Sequence, residues 1–143
     1  MTAERLKVRD VGEGYEVLDY DGKPIAICAT IVHAARYVRG FAARFQLDWS
    51  RAVADPSTPS DYCASFLGSE SIGRIRAETG FRYAGHWAWW ISTNDDRWRR
   101  PGGQRGREAG KDLAMVRLEH EFTCYLANTP GGPSPYALAK GLE

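Results

Sequence analysis

The chain has 143 residues, a net charge of +1, and 43% hydrophobic and 26% charged side chains, the make-up of one globular domain able to bury a core of its own. The composition excludes wholesale disorder, and the near-neutral charge singles out no class of partner. Cys28, Cys63 and Cys124 are too scattered for a disulfide framework or paired zinc ligands, so they are expected to be reduced thiols in a cytoplasmic protein. The opening MTAERLKVRD has no apolar signal core, and no apolar run reaches the roughly 20 residues that span a bilayer, so no membrane is expected as partner.

In chain order, Arg5 to Val11 predicts an edge strand, and Gly12-Glu13-Gly14 a turn. Tyr15 to Tyr20 and Lys23 to Ala29 predict a hairpin closed by Asp21-Gly22, a dipeptide suited to the positive φ angles of a tight turn. Ile25 and Ile27 share one face of its second strand, Ala26 and Cys28 the other. Thr30 is placed to cap a helix from Ile31 to about Gln46. Its apolar stripe is Ile31, Ala34, Ala35, Val38, Phe41, Ala42 and Phe45, and its other face carries His33, Arg36, Arg39 and Arg44 with no acidic residue. Residues 47–60, with Pro56 and Pro59 among serines and Thr58, read as a connector.

A second unit follows. Tyr62 to Leu67 and Ile72 to Glu78 predict strands joined through Gly68 to Ser71, and Thr79, Gly80 and Phe81 lead to a third strand, Gly85 to Thr93. There His86, Ala88 and Trp90 alternate with Trp87, Trp89 and Ile91, so both faces are apolar and the strand is expected to be central and covered on both sides. A loop from Asn94 to Gly106 precedes a helix from about Arg107 to Leu126. Its main stripe is Met115, Leu118, Phe122, Tyr125 and Leu126, and a second one holds Leu113, Val116, His120 and Cys124. Residues 128–143, rich in Pro and Gly, predict an irregular tail. The expected fold is α+β: two antiparallel β-hairpin-plus-helix units (1–46 and 61–127, with 47–60 between) forming one compact domain over 1–143, with two main helices.

The segment SIGRIRAETGFRYAGHWAWWIS, Ser71 to Ser92, resembles a recurrent pattern in small uncharacterised proteobacterial proteins: an Ile-Gly-Arg-Ile strand, a short loop, then a Trp-x-Trp strand. Ile72, Gly73, Arg74, Ile75, Trp87 and Trp89 are the matching positions, and Glu108-Ala109 resembles the start of the helix that follows in that group. The resemblance covers roughly the second half and implies a fold but no function. The longer Arg-rich loop departs from the pattern.

Of the 19 basic residues 15 are arginine, whose planar fork suits phosphates and carboxylates; an Arg-rich codon bias would give the same excess. Five of them, Arg97, Arg99, Arg100, Arg105 and Arg107, lie within eleven residues beside Trp98 and several glycines. Arginine neutralises phosphates and tryptophan stacks on bases; a solvated loop paired with Asp95, Asp96 and Glu108 would look the same. Arg36, Arg39 and Arg44 would extend such a surface. Trp87, Trp89 and Trp90 suit core filling with their indole N–H groups bonded, Trp90 being the one expected at the surface with His86. His120 and Cys124 are four apart on one helix, but no orienting third group is identifiable, so no catalytic residue is assigned. No metal or cofactor is expected. The leading expectation is a non-enzymatic binding protein for nucleic acid or a nucleoprotein complex, in the manner of an inhibitor or adaptor from a mobile element. The alternative is a protein partner or homodimer through the aromatic strand or Leu113, Val116 and Cys124; an enzyme comes third.

Overall fold

A computed structural model describes residues 5–19, 21–51, 61–68, 71–78, 84–92 and 105–127. They form an α+β protein of two helices and two sheets. The chain divides into two units: described residues up to Gln46 together with those from His120, and Leu47–Glu119.

In the first unit β1 (Arg5–Asp10), β2 (Tyr15–Leu18), β3 (Pro24–Cys28) and β4 (Arg44–Phe45) make a sheet ordered β3-β2-β1-β4. The β2–β3 turn is held by Asp19, whose carboxylate accepts from the amides of Asp21 at 2.9 Å and Lys23 at 2.8 Å, with Gly22 at φ +85°. β1 is an inner strand and not the expected edge, because β4 pairs parallel to it at Arg5↔Arg44 and Leu6↔Phe45. Alternation puts Leu6, Val17 and Phe45 in the core. On β3 the small residues face inward and the isoleucines outward: Ala26 and Cys28 are half-buried, while Ile27 is 72% exposed.

Helix α1 (Ile31–Gly40) starts as expected, the Thr30 hydroxyl accepting from the His33 amide at 3.1 Å. It buries Ile31, Ala34, Ala35 and Val38. It ends six residues before Gln46, the expected terminus. The Ala43 amide donates to the Val38 carbonyl at 3.0 Å and the Ala42 amide to that of Arg39 at 2.9 Å, the bond pair of a Schellman motif. Ala42 takes the left-handed position at φ 55°. Phe41 is left exposed, and Phe45 reaches the core from β4 and not from the helix. The Phe45 amide donates to Thr123 Oγ1 at 2.8 Å.

The second unit holds β5 (Asp48–Arg51), β6 (Asp61–Ser65), β7 (Gly73–Ala77), β8 (Trp87–Ile91) and β9 (Arg105–Glu108), antiparallel in that order. β5 corrects the expectation of a connector from residue 47, and residues 52–60 lie outside the described residues. Helix α2 (Lys111–Ala127) begins four residues later than expected because Arg105 to Glu108 belong to β9. In this unit its residues up to Glu119 cover one sheet face. Leu118 is fully buried beside Gly73, and the Arg117 guanidinium lies 5.7 Å from the Trp89 ring centroid. Glu119, 1% exposed, accepts from the Leu47 amide at 3.0 Å and the Trp49 indole at 3.1 Å. Gly106 lies against the Trp89 ring so closely that a Cβ there would sit 2.7 Å from two ring atoms. The expected tail, 128–143, lies outside the described residues.

Candidate nucleic-acid interface

Directly paired residues in antiparallel strands point to the same side, and side chains alternate along each strand. In Gly-Arg-Ile-Arg-Ala, Trp-Ala-Trp-Trp-Ile and Arg-Gly-Arg-Glu this alternation sorts two faces. Ile75, Trp89 and Ile91 go to the core with Gly106. Arg74, Arg76, Ala88, Trp90, Arg105 and Arg107 go to the other side. The register makes Arg74↔Trp90↔Arg105 one cross-strand row and Arg76↔Ala88↔Arg107 the next. Trp90 is therefore flanked on both sides by arginine, with two more arginines diagonal to it. The expectation that β8 is covered on both sides is corrected: in this unit α2 packs on the Trp89 face, and Arg76, Arg105 and Arg107 on the other are exposed.

Two of the four guanidinium groups are partnered. Arg74 grips Asp61 with both ends of its fork, Nε at 2.7 Å and Nη2 at 2.6 Å. That bond, with the charge of Asp61, raises the Arg74 pKa above its ordinary value. Arg107 holds Glu78 at 3.0 Å. Arg76 and Arg105 make no ion pair among the described residues. Among the described residues, the patch around Trp90 thus sets four arginines against Asp61 and Glu78, with Asp48 at the far strand. An open depression of ≈ 1040 Å³ runs along β8 and β9 beside Trp90, Arg105 and Arg107. A second, of ≈ 390 Å³, is lined by Arg76, Glu78, Ala88 and Trp90.

On the covered face, Lys111 lies 4.0 Å from the Tyr62 ring centroid, and its hydrogen bond pulls the Tyr62 phenol below its ordinary pKa. The Trp89 indole N–H has no partner among the described residues, contrary to the expectation that each indole is bonded, because Gly106 closes over that edge. In the first unit, burial pushes the Cys28 thiol up.

The other sequence candidates divide sharply. Arg97, Trp98, Arg99 and Arg100 lie outside the described residues. Arg105 and Arg107 sit on a strand and not in a loop. Arg44 is not on a helix face at all: it lies in β4 and is 6% exposed. Arg36 donates to the Ala127 carbonyl at 2.7 Å, and Arg39 approaches His120 Nδ1 at 3.4 Å. Arg36 and Arg39 are therefore committed inside their own unit, Arg36 at the end of α2, whose last turn carries no basic residue, and Arg39 about two turns earlier. Of the proposed association residues Leu113 is 53% exposed, and Val116 and Cys124 are half-buried. Arg74 and Arg76 were not singled out in the sequence, although the alternation of Gly73 to Ala77 marks them.

Cys124 Sγ lies 3.7 Å from His120 Nε2. The other ring nitrogen, Nδ1, faces the Arg39 guanidinium. Among the described residues no group of three or more His, Cys, Asp or Glu is placed to hold a metal ion, and no helix is long and apolar enough to cross a membrane.

No known protein family, curated protein or solved structure matches the chain. Function therefore rests on this geometry.

Proposed function

We propose that the chain is a nucleic-acid-binding protein that works through the open face of its five-stranded sheet. The observation that carries the reading is the register placing Arg74, Arg76, Arg105 and Arg107 around Trp90. Guanidinium groups bind phosphates and the aromatic ring offers a contact for bases, a pairing typical of nucleic-acid surfaces. Arg76 and Arg105 are the groups with charge to spare. The Arg-rich segment from Arg97 to Arg100 ends four residues before β9 in sequence and supplies further phosphate contacts in this reading. No catalytic step is assigned, and a nucleoprotein complex presents the same phosphates as naked nucleic acid.

The test is fluorescence anisotropy of a labelled mixed-sequence oligonucleotide across a salt series. Two phosphates neutralised by Arg76 and Arg105 give a log–log slope near about −1.4 on a single strand, and four give about −2.8, roughly a 7- to 50-fold loss between 50 and 200 mM salt. Replacing both Arg76 and Arg105 by Gln should flatten the slope by about 1.4. Affinity indifferent both to salt and to that double replacement would overturn the proposal.

A protein partner is the second reading, favoured by exposed Leu113 beside half-buried Val116 on the first turns of α2. It predicts binding that ignores salt and is lost on Leu113→Ser.

A further inference from the structure

Resting on the nucleic-acid reading, we infer that the ligand is single-stranded, with an unpaired base stacked on Trp90. The argument begins with what surrounds the indole. Its neighbours along the strand on the open face are Ala88 and Ser92, both small, and its neighbours across the strands are Arg74 and Arg105. The ring therefore has no bulky neighbour along its own strand on this face, and long cationic side chains flank it across the strands. Half-buried, it has one part packed and one part open. The two depressions lie on either side of the Ala88–Trp90 pair, one toward Arg76 and one toward Arg105 and Arg107. That is the layout of a stacking platform with a phosphate site on each side, in which bases sit on the ring while the backbone follows the arginines.

A duplex fits this surface poorly, for two reasons. Its base faces are already stacked on one another, so Trp90 finds no π-face to cover. The sheet is also too broad to enter a groove: five strands about 4.8 Å apart span roughly 19 Å between the outer two, against a major groove about 12 Å wide that takes a helix or a two-stranded ribbon. A duplex would meet the arginines alone, through its phosphates. An unpaired strand uses arginines and indole together.

The experiment compares one mixed-sequence oligonucleotide as a single strand and as its duplex, using the full-length protein, then repeats both with Trp90→Leu and Trp90→Phe. Leucine keeps apolar bulk on the sheet and removes the π-face; phenylalanine restores it. The unmodified protein should bind the single strand more tightly. Trp90→Leu should weaken that binding about 5- to 150-fold and duplex binding far less, and Trp90→Phe should recover most of the loss. Equal or tighter duplex binding by the unmodified protein overturns the inference without any variant. So does a folded Trp90→Leu protein with unchanged single-strand affinity; in both cases salt-dependent binding would leave the broader proposal standing. If neither form binds, both fall.

Discussion

Replacing Ala42 by glycine should make the protein more stable. Ala42 sits at the position after the α1 C-cap with φ 55°, where its amide and that of Ala43 close the Schellman bonds to Arg39 and Val38. An L-residue in the left-handed region carries a steric cost of roughly 1–2 kcal/mol that glycine does not. Glycine gives back about 0.4–1 kcal/mol because its unfolded chain has more freedom to lose. Ala42 is exposed, so deleting its methyl opens no cavity. The net expectation is a gain of about 0.5–1 kcal/mol, which for a chain this size raises Tm by roughly 2–4 °C. Urea denaturation followed by circular dichroism reads it as a higher midpoint at unchanged slope. Ala42→Val, with a branched side chain at the same angle, should move the midpoint the other way. A glycine variant no more stable than the parent would refute the account of how α1 stops.

Two further predictions concern the second unit. Gly106→Ala should cost about 1–3 kcal/mol through overpacking, since the new Cβ would press on Trp89 at 2.7 Å and that ring is 3% exposed; near-UV circular dichroism should register the displaced indole. Glu119→Ala should cost about 2–4 kcal/mol by stranding the Leu47 amide and the Trp49 indole N–H in a buried place. Glu119→Gln, which keeps an acceptor, should cost less, and hydrogen exchange at Leu47 should rank the three proteins in the same order.

The parts of the fold visible in the sequence are those where local chemistry and tertiary packing agree. Thr30 before Ile31 and Asp21-Gly22 between two alternating runs are such places, and the structure puts a cap and a turn there. The missed parts are those where packing overrules local pattern. Alanine at a left-handed position leaves no sequence mark, so the apolar period of α1 runs on through Phe45, whose burial comes from a two-residue strand. β9 reads Arg-Gly-Arg-Glu and has no apolar residue; Gly106 and Glu108 take the covered face, and Gly106 fits there by being small enough for Trp89. In α2 the buried positions include Glu119 and Thr123, polar groups that accept backbone amides from residues 45–47, so its apolar stripe is interrupted. The candidate site was half visible. Trp90, Arg105 and Arg107 stand out by residue type, whereas Arg74 and Arg76 join them only once the β7–β8 register is known.

The arginines of this chain illustrate why a residue type is not yet a surface. Arg36, Arg39 and Arg44 look like a binding face because no acid accompanies them, yet that absence has an internal cause. The α2 terminus presents carbonyl oxygens and no basic side chain of its own, and an acid beside Arg36 would compete with Ala127 for the guanidinium. Arg74 and Arg107 do have acids, Asp61 and Glu78, which fix their guanidinium groups on the open face that carries Trp90. Fixing a guanidinium in advance lowers the rotamer entropy lost when a ligand binds. Asp61 engages the Nε and one Nη of Arg74, two of the nitrogens of a guanidinium that has five N–H donors. The open sheet face therefore combines two pre-positioned arginines with two, Arg76 and Arg105, whose charge is not spent on ion pairs among the described residues. A salt-dependent ligand should draw its charge dependence from the second pair and its orientation from the first. Arg74→Lys, which keeps the charge but loses the fork, should then weaken binding while leaving the salt slope where it was.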